Sequence, residues 1–271
     1  EGGPAPASPA RRGAAPDVRL ELEHVYGYRA AHPSLNLSSP VAVLGPDTIA
    51  YAAAALCVVL DSARNAQRFF AGHDDDVLCV AACPSAPGAG RRLLASGQLG
   101  RRPRLYVWDG DSCEVVVALP EGAHERGVCQ VAFSHDGARL ASVGLDTQRT
   151  VVLWDWRRRA QLVSAKGHTD AVHGLAFHPA SPDVLCLACV KAFKVFQTEQ
   201  PPGHHKGPGT SPPLLSTPAM VLAKRSGVFG RLGAGRDGQP QTLLSVAFIA
   251  DGHAYTGCAS GDVLGWWGTE A

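Results

Sequence analysis

The sequence lacks several features that would assign it to a major class of protein. Its 271 residues carry a formal net charge of only +1, so charge gives no argument for nucleic-acid binding. No apolar run approaches the roughly 18–20 residues of a membrane-spanning helix, and the best candidate, 49–60, is better interpreted as two strands. Hydrophobic residues make up 45% of the chain and charged residues 18%, which describes a globular protein. We therefore expect no membrane or nucleic-acid partner.

The chain does not begin with Met, and its first residues lack the apolar core of a signal peptide. Residues 1–17 are rich in Gly, Ala and Pro, so we predict a disordered linker there, in a fragment or a processed product. The eight Cys are scattered, mostly through apolar stretches, where we expect reduced, buried thiols in a cytoplasmic protein. Cys186 and Cys189 have metal-ligand spacing, but no second pair stands at a zinc-like distance. We predict no metal and no cofactor.

One pattern recurs four times: an apolar residue, an apolar residue three positions later, and Phe or Ala two positions after that. The four copies begin at Val77, Val128, Val172 and Leu243. The first three copies each follow a His, and two of them run on to a Trp-Asp pair. The two Trp of those pairs are 46 positions apart, and a WD40 blade of four strands takes about 40–45 residues. The repeat predicts an all-β, WD40-type propeller.

The second copy is the clearest. Residues 128–133 alternate as a strand should, and the Ser134–Gly137 segment has turn chemistry, because Asp-Gly readily adopts positive φ. Residues 140–143, 150–154 and 160–163 supply three further strands. A Phe at position 196 stands where the third copy would have Trp, and the fourth copy has no Gly-His. Weaker outer copies are ordinary in repeat proteins.

The repeat also places polar residues where a blade would bury them. We predict a hydrogen-bonded network in which an imidazole joins a carboxylate to a hydroxyl and an indole N–H. Its members are His124, Ser142, Asp146 and Trp154, with His73, Trp108 and His168 at equivalent places. The alternative, a hydrolase triad of the same His, Ser and Asp, is less favoured because the set lies inside a repeat and His73 and His168 recur at the equivalent place. We predict no catalytic residues and no small-molecule substrate.

Two Gly-rich segments are candidate binding sites. The segment 200–218 is rich in Pro and Gly and includes His204 and His205, which could bind a metal but fit a solvated loop better. Gly230, Gly233 and Gly235 have the reverse order of the dinucleotide fingerprint, and no strong strand precedes them. We predict a long loop with one candidate strand over 197–240.

The segment ahead of the first Gly-His reads Val25-Tyr-Gly-Tyr-Arg29, and further short matches follow in order as far as residue 267. It resembles the HELP motif of the echinoderm microtubule-associated protein-like (EMAP-like) family, although Ala30 stands where Gly is expected. The resemblance implies tandem propellers, association with tubulin and microtubules in the cytoplasm and cytoskeleton, and no catalysis. The second propeller of that family is not expected in this chain, which stops just after Trp267. The family's N-terminal coiled coil is not expected either, since no heptad run is visible.

The resemblance leaves the contacting residues open. We expect the HELP residues to be mainly core, with direct partner contact as the alternative; they are Val25, Tyr26, Gly27, Tyr28 and Arg29. Because the tubulin surface is acidic, exposed Arg clusters are candidate contacts, with ordinary solvated loops as the alternative. The two strongest clusters are Arg101 with Arg102, and Arg157 with Arg158 and Arg159.

Chain length sets the expected blade count. At about 43 residues per blade, the chain holds roughly five blades, including the HELP region, so the ring is predicted to be incomplete and to gain stability from downstream residues. The HELP region and first strands span 18–62, the WD-repeat blades 63–196, and a truncated further blade 241–271. A scaffold without tubulin affinity remains an alternative to microtubule binding, and an enzyme with a site at the channel mouth is a third.

Overall fold

The computed structural model describes residues 21–28, 31–32, 37–38, 41–84, 91–199, 220–229 and 240–267. The predicted linker 1–17, the loop 200–218, the segment 230–235 and Arg29 lie outside these described residues. Within them there is no helix long and apolar enough to cross a membrane. The strands form five antiparallel sheets and one short hairpin.

Each sheet is a blade whose strands follow one another along the chain, and most connections within a blade are short turns. Blades one to four have four strands and blade five has three. The hairpin and blades one and two comprise β1 (Ala31–His32), β2 (Leu37–Ser38), β3 (Val41–Gly45), β4 (Thr48–Ala53), β5 (Leu56–Asp61), β6 (Ala66–Phe70), β7 (Val77–Ala82), β8 (Leu93–Gln98), β9 (Leu105–Asp109) and β10 (Val115–Ala118). Blades three to five comprise β11 (Val128–Phe133), β12 (Leu140–Gly144), β13 (Val151–Asp155), β14 (Ala160–Ala165), β15 (Val172–His178), β16 (Ser181–Cys189), β17 (Ala192–Glu199), β18 (Val221–Ser226), β19 (Leu243–Phe248), β20 (Ala254–Cys258) and β21 (Val263–Trp266).

The predicted all-β propeller of roughly five blades is confirmed. Residues 49–60 do form two strands, β4 and β5. The predicted Asp-Gly turn after β11 is present, with Gly137 at φ +65. In the 197–240 segment the structure has β18, which completes blade four by pairing with β17.

The core lies between neighbouring blades rather than at one centre. Each blade buries an apolar face against the next, because β-strands alternate their side chains between two faces of a sheet. Between blades two and three, for example, Cys79 and Val107 pack in one cluster with Val128 and Val152. Three similar clusters fill the other junctions. Burial of this kind is the main source of stability in such an arrangement.

The first strands of blades two to five share an irregularity. Each strand has a bulge next to its first residue, so that two residues oppose one on the neighbouring strand. Bulges increase local twist. Their recurrence shows that the four sequence copies are one structural unit repeated in the same register.

The two terminal blades leave apolar surface exposed. Leu244, Val263 and Trp267 are exposed on blade five, and Val41 and Val43 are exposed on β3 of blade one. Among the described residues, β19 and β3 do not pack together as the first strands of other neighbouring blades do. The described part of the ring is therefore open at this junction, as the blade count predicts.

Candidate functional site

Four polar residues meet inside blade two. The Trp108 indole N–H donates to Ser96 Oγ at 3.0 Å, and Ser96 Oγ lies 2.7 Å from His73 Nε2. His73 Nδ1 lies 2.8 Å from Gln98 Oε1, while the Gln98 amide nitrogen donates to Asp74. The side chains of Trp108, Ser96, His73 and Gln98 are all buried, whereas that of Asp74 is not. The arrangement confirms a network around His73 and Trp108 and adds Ser96 and Gln98, which the sequence analysis did not single out.

The network fixes the protonation state of His73. An amide oxygen only accepts, so His73 Nδ1 must carry the proton that it shares with Gln98 Oε1. His73 Nε2 is then an acceptor, and the Ser96 hydroxyl donates to it while accepting from the indole. Burial lowers the pKa of His73 to about 4, although the hydrogen bond to Gln98 acts in the opposite direction. The imidazole is therefore neutral at pH 7.

Blade three repeats the inner part of this network. His124 Nε2 lies 2.6 Å from Ser142 Oγ, and the Trp154 indole N–H donates to the same oxygen at 2.7 Å. Burial lowers the pKa of His124 to about 4 as well, opposed by the nearby carboxylate of Asp146. The predicted trio of His124, Ser142 and Trp154 is thus found together.

The predicted role of Asp146 is wrong. Among the described residues, His124 Nδ1 has no hydrogen-bond partner. The Asp146 carboxylate instead accepts from Thr150 Oγ1 and from the backbone N–H groups of Gln148 and Thr150. Asp146 begins the turn between β12 and β13, and its carboxylate is used within that turn. Gly144 occupies the register position of Gln98 and has no side chain to reach the imidazole.

The predicted role of His168 in blade four is also corrected. Its Nε2 lies 3.1 Å from the backbone oxygen of Val190 and contacts neither a hydroxyl nor an indole. Leu187 pairs with Leu175 as Ser142 pairs with Val131, so a buried leucine stands where the hydroxyl would be. With Phe196 in the Trp position as well, an apolar contact replaces the network.

Blade five keeps half of the network. The Trp266 indole N–H donates to Thr256 Oγ1 at 2.8 Å, and Thr256 has the register position of Ser142. In the four repeat copies, the third strand carries a buried Trp only when the second strand carries Ser or Thr two positions before its last residue. A Trp at this place therefore requires Ser or Thr across the strand, because a buried indole N–H needs an acceptor.

The same geometry argues against a hydrolase triad. Ser96 and Ser142 are 0% exposed, and each oxygen is engaged by both an indole and an imidazole. A nucleophile must reach a substrate and have a general base within hydrogen-bond distance. Ser142 meets the second condition but not the first. These residues serve the interior of the blade.

The Asp of each Trp-Asp pair has a separate, local role that the sequence analysis did not assign. Asp109 Oδ1 accepts from the backbone N–H groups of Asp111 and Ser112, and Asp155 Oδ1 accepts from that of Arg158. Asp61 does the same for Arg64 in blade one, which has no Trp at the preceding position. The residue four positions after each Asp adopts positive φ. The Asp caps the turn between the last two strands of a blade.

The HELP residues lie along blade one. The Gln67 side chain on β6 accepts from the Val25 backbone N–H at 2.8 Å and donates to the Val25 oxygen at 3.1 Å. The Tyr28 ring packs edge-on against Tyr51, with centroids 6.0 Å apart. Gln67 thus pairs with this segment as a neighbouring strand would.

The prediction that the HELP tyrosines are core residues is wrong for the described part of the chain. Tyr26 is 89% exposed and Tyr28 is 56% exposed, whereas Val25 is half-buried. Residues 21–28 form no strand, so their side chains are not forced onto the buried face of a sheet. Gly27 has φ +86, which a side chain would strain.

Comparison with known proteins agrees with this geometry. The model of the family described as the echinoderm microtubule-associated protein first beta-propeller matches residues 66–271. The HELP motif model matches residues 15–58. This chain belongs to that first-propeller family. The resemblance inferred from Val25–Arg29 and the repeat is confirmed.

Relatives extend this comparison along most of the chain. Echinoderm microtubule-associated protein-like 2 of Homo sapiens is 30% identical over 93% of this chain and 35% of its own length. Echinoderm microtubule-associated protein-like 1 of Rattus norvegicus is 29% identical over 93% and 28% of the two chains. The 77 kDa echinoderm microtubule-associated protein of Lytechinus variegatus is 27% identical over 93% and 34%. The chain spans about a third of the length of these curated relatives.

One solved structure supports the fold alone. A chain from the crystal structure of the mitotic checkpoint complex superposes with a TM-score of 0.57 at 15% identity. The alignment covers 84% of this chain and 60% of that one. At this identity the similarity describes the propeller architecture of the family and no activity.

The two Arg clusters lie at opposite ends of the blades in this EMAP-type propeller. Turns alternate between ends in an antiparallel meander. The β8–β9 turn, with Arg101 and Arg102, lies at the end that carries His73, His124 and His168; we call this the histidine end. The β13–β14 turn, 156–159, lies at the other end. One flat surface cannot contact both clusters.

The clusters also differ in how their side chains are used. Arg157 lies over the Trp156 ring at 4.3 Å and donates to the Gly137 oxygen, while Arg159 donates to the Ala118 oxygen. Arg158 forms an ion pair with Asp155. In contrast, Arg101 and Arg102 are exposed and form no ion pair or hydrogen bond with any described residue.

Cys186 and Cys189 do not form a metal site with the described residues. Both thiols are free, both are 0% exposed, and burial raises the pKa of each. No group of three or more His, Cys, Asp or Glu side chains suited to a metal ion occurs in the described ranges.

Proposed function

We propose that this chain is part of a non-enzymatic, microtubule- or tubulin-binding propeller protein of the cytoplasmic cytoskeleton. The observation that carries the proposal is the match of the first-propeller family model over 66–271 together with the HELP model over 15–58. The relatives that cover 93% of the chain are named as microtubule-associated proteins.

The geometry suits binding by a rigid surface. The inter-blade clusters and buried networks hold the strands, while the turns project at the two ends of the blades. Loops on a rigid scaffold set specificity in such proteins. No step of chemistry is required of His124 or Ser142, which are inside the blade.

The histidine end is favoured as the contact surface over the opposite end. Arg101 and Arg102 at this end have charges that no described acid neutralises. The Arg side chains of residues 157–159 are committed to Gly137, Ala118 and Asp155. Unpaired cations steer association with an acidic surface more effectively than paired ones.

A second candidate is a protein-assembly scaffold without tubulin affinity. The observation that favours it is the coverage: the chain spans about a third of its relatives, so microtubule contact could belong to their other two thirds. Partners recovered with the chain that do not include tubulin would favour this alternative.

Co-sedimentation with taxol-stabilised microtubules tests the proposal. The chain is expected to pellet with microtubules at low salt, saturably, and less at raised salt, because screening weakens contacts between exposed charges. The chain spun alone measures self-association. A pelleted fraction equal to that of the chain alone at low salt would refute direct binding.

A further inference from the structure

The described lysines of this chain lie in one part of the molecule. The sequence contains five Lys, all between residues 166 and 224. Four are described, and they lie on blade four or on the loop that leads into it. With the adjacent Arg225 they form what we call the blade-four cluster: Lys166, Lys191, Lys194, Lys224 and Arg225.

These cations lack the acidic partners that several arginines of the earlier blades have. In blades one to three, Asp61, Asp109, Asp111 and Asp155 each lie within 4.0 Å of an Arg nitrogen. No member of the blade-four cluster forms an ion pair with a described residue. Four members are exposed, and Lys194 is half-buried. The acid nearest in sequence to Lys166, Asp170, lies 3.8 Å from His168 Nε2.

Two of the lysines are held in place. Lys194 faces Ser226 across β17 and β18, and its Nζ donates to Ser226 Oγ at 2.6 Å. Lys224 lies two residues along β18 on the same face, and its Nζ donates to the backbone oxygens of Lys166 and Gly167 at 3.2 and 3.4 Å. These bonds hold Lys194 and Lys224 at the histidine end of β17 and β18, which we call the outer rim of blade four, where blades three and four meet.

This arrangement leaves unused hydrogen-bond donors on one face of the β17–β18 pair. An ammonium has three N–H groups, so Lys194 keeps two and Lys224 keeps one after these contacts. The Ser226 hydroxyl, which accepts from Lys194, can still donate its own proton. These four donors, three of them on cations, match the oxygens of a carboxylate.

We propose that the blade-four cluster is a docking surface for an acidic peptide segment, held by its Asp or Glu side chains against Lys194, Lys224 and Ser226. Lys166, Lys191 and Arg225 extend the positive potential around that point. Where that segment belongs to a microtubule, the inference rests on the proposed function and assigns the microtubule contact to the blade-four cluster.

The chemistry favours a peptide over a nucleic acid or a lipid surface. The net charge of +1 gives no long-range field, so a partner has to be held by the local contacts of a few side chains rather than by the charge of the whole chain. Single-stranded nucleic acids are held by stacking on aromatic side chains as well as by charge. No aromatic residue described in blade four is an exposed hydrophobic; Phe193 and Phe196 are buried at 1% and 0%. Lysines act as separate point charges, which suits flexible carboxylate side chains.

Fluorescence anisotropy with a labelled ten-residue poly-glutamate peptide tests the inference. The whole chain is used, and circular dichroism checks that each variant folds. The Lys194→Gln/Lys224→Gln variant is expected to lose at least about tenfold in affinity. The matched variant, Arg64→Gln/Arg91→Gln, removes the same charge at the opposite end of the blades, where both arginines are paired with Asp residues, and is expected to stay within about twofold of the wild-type chain.

Several results would overturn the inference. They are no peptide binding by the wild-type chain, equal losses in both variants, or tighter binding of a single-stranded DNA of equal charge or of vesicles with anionic lipid. The two proposals fail separately. If both variants co-sediment with microtubules as the wild-type chain does, the docking surface is not the microtubule contact and the proposed function stands. If the peptide binds but microtubules do not, the surface stands and the function fails.

Discussion

Blades three and four are neighbours built from the same repeat, yet they hold their polar groups in different places. Blade three buries an imidazole, a hydroxyl and an indole that satisfy one another around Ser142 Oγ. Blade four has Leu187 and Phe196 at the corresponding positions and carries unpaired cations on its outer rim. The comparison teaches that the repeat can lose its internal network and still fold, provided that hydroxyl and indole are lost together.

The largest expected effect comes from breaking that pairing in blade four. Leu187→Ser should lower the free energy of unfolding by about 3 kcal/mol, since it empties buried volume. Phe196→Trp should cost about 1–3 kcal/mol by overpacking and by burying an indole without an acceptor. In the double variant the indole and hydroxyl can bond. Urea unfolding should therefore show a cost at least about 1 kcal/mol below the sum; strict additivity would contradict the pairing rule.

A smaller effect is expected from removing the shared oxygen in blade three. Ser142→Ala leaves the Trp154 indole and His124 Nε2 without their partner, which should cost about 2 kcal/mol in the free energy of unfolding. Ser164→Ala is the control, because Ser164 is exposed on β14, and it should stay within about 0.5 kcal/mol. Equal losses in the two variants would show that the buried oxygen contributes nothing special.

Acidification sharpens the comparison through the buried imidazoles. Burial lowers the pKa of His73 and of His124 to about 4 from 6.5. Because the folded value lies below the unfolded value, the stabilisation is complete above pH 6.5 and is lost as pH falls towards 4. Each histidine should account for about 3 kcal/mol by pH 4. His124→Gln should reduce the fall in unfolding free energy between pH 7 and 4 by about 3 kcal/mol. His73 keeps its share, as do His173 and His178, whose pKa burial also lowers. An unchanged slope would contradict the assignment.

The smallest effect on stability is expected from the outer rim of blade four. Lys194→Gln/Lys224→Gln changes exposed or half-buried cations that form no ion pair with described residues, so the free energy of unfolding should stay within about 0.5 kcal/mol. Urea unfolding measures this on the same chain that is used for binding. A loss above about 1 kcal/mol would mean that these lysines are part of the scaffold.

Much of the fold could be predicted from the sequence because its signals are local and repeated. The 12-residue spacing from Ser142 to Trp154 recurs from Ser96 to Trp108, and alternation along 128–133 specifies a buried strand. The family could be inferred from Val25–Arg29 for the same reason, since a contiguous motif needs no knowledge of contacts.

The sequence analysis was wrong where the outcome depends on an orientation or on a partner across the sheet. Asp146 has the right type and order for the imidazole, but the N–H groups of its own turn are closer. His168 does not take part in a network because Leu187, on another strand, stands where the hydroxyl would be. Tyr26 has a largely apolar side chain, but it lies outside any strand, so nothing orients that side chain towards the core. That Lys194 and Lys224 would lie on the same face of neighbouring strands follows only from the pairing of β17 with β18.

The central claim is a division of roles: blade three holds the fold from inside, and blade four contacts a partner from outside. The most direct test is microtubule co-sedimentation of Ser142→Ala beside Lys194→Gln/Lys224→Gln at 20 °C, where both should be folded. The account predicts that the first pellets like the wild-type chain despite its lower stability, and that the second loses most of its binding with unchanged stability. The reverse result, or equal pelleting of both variants, would contradict it.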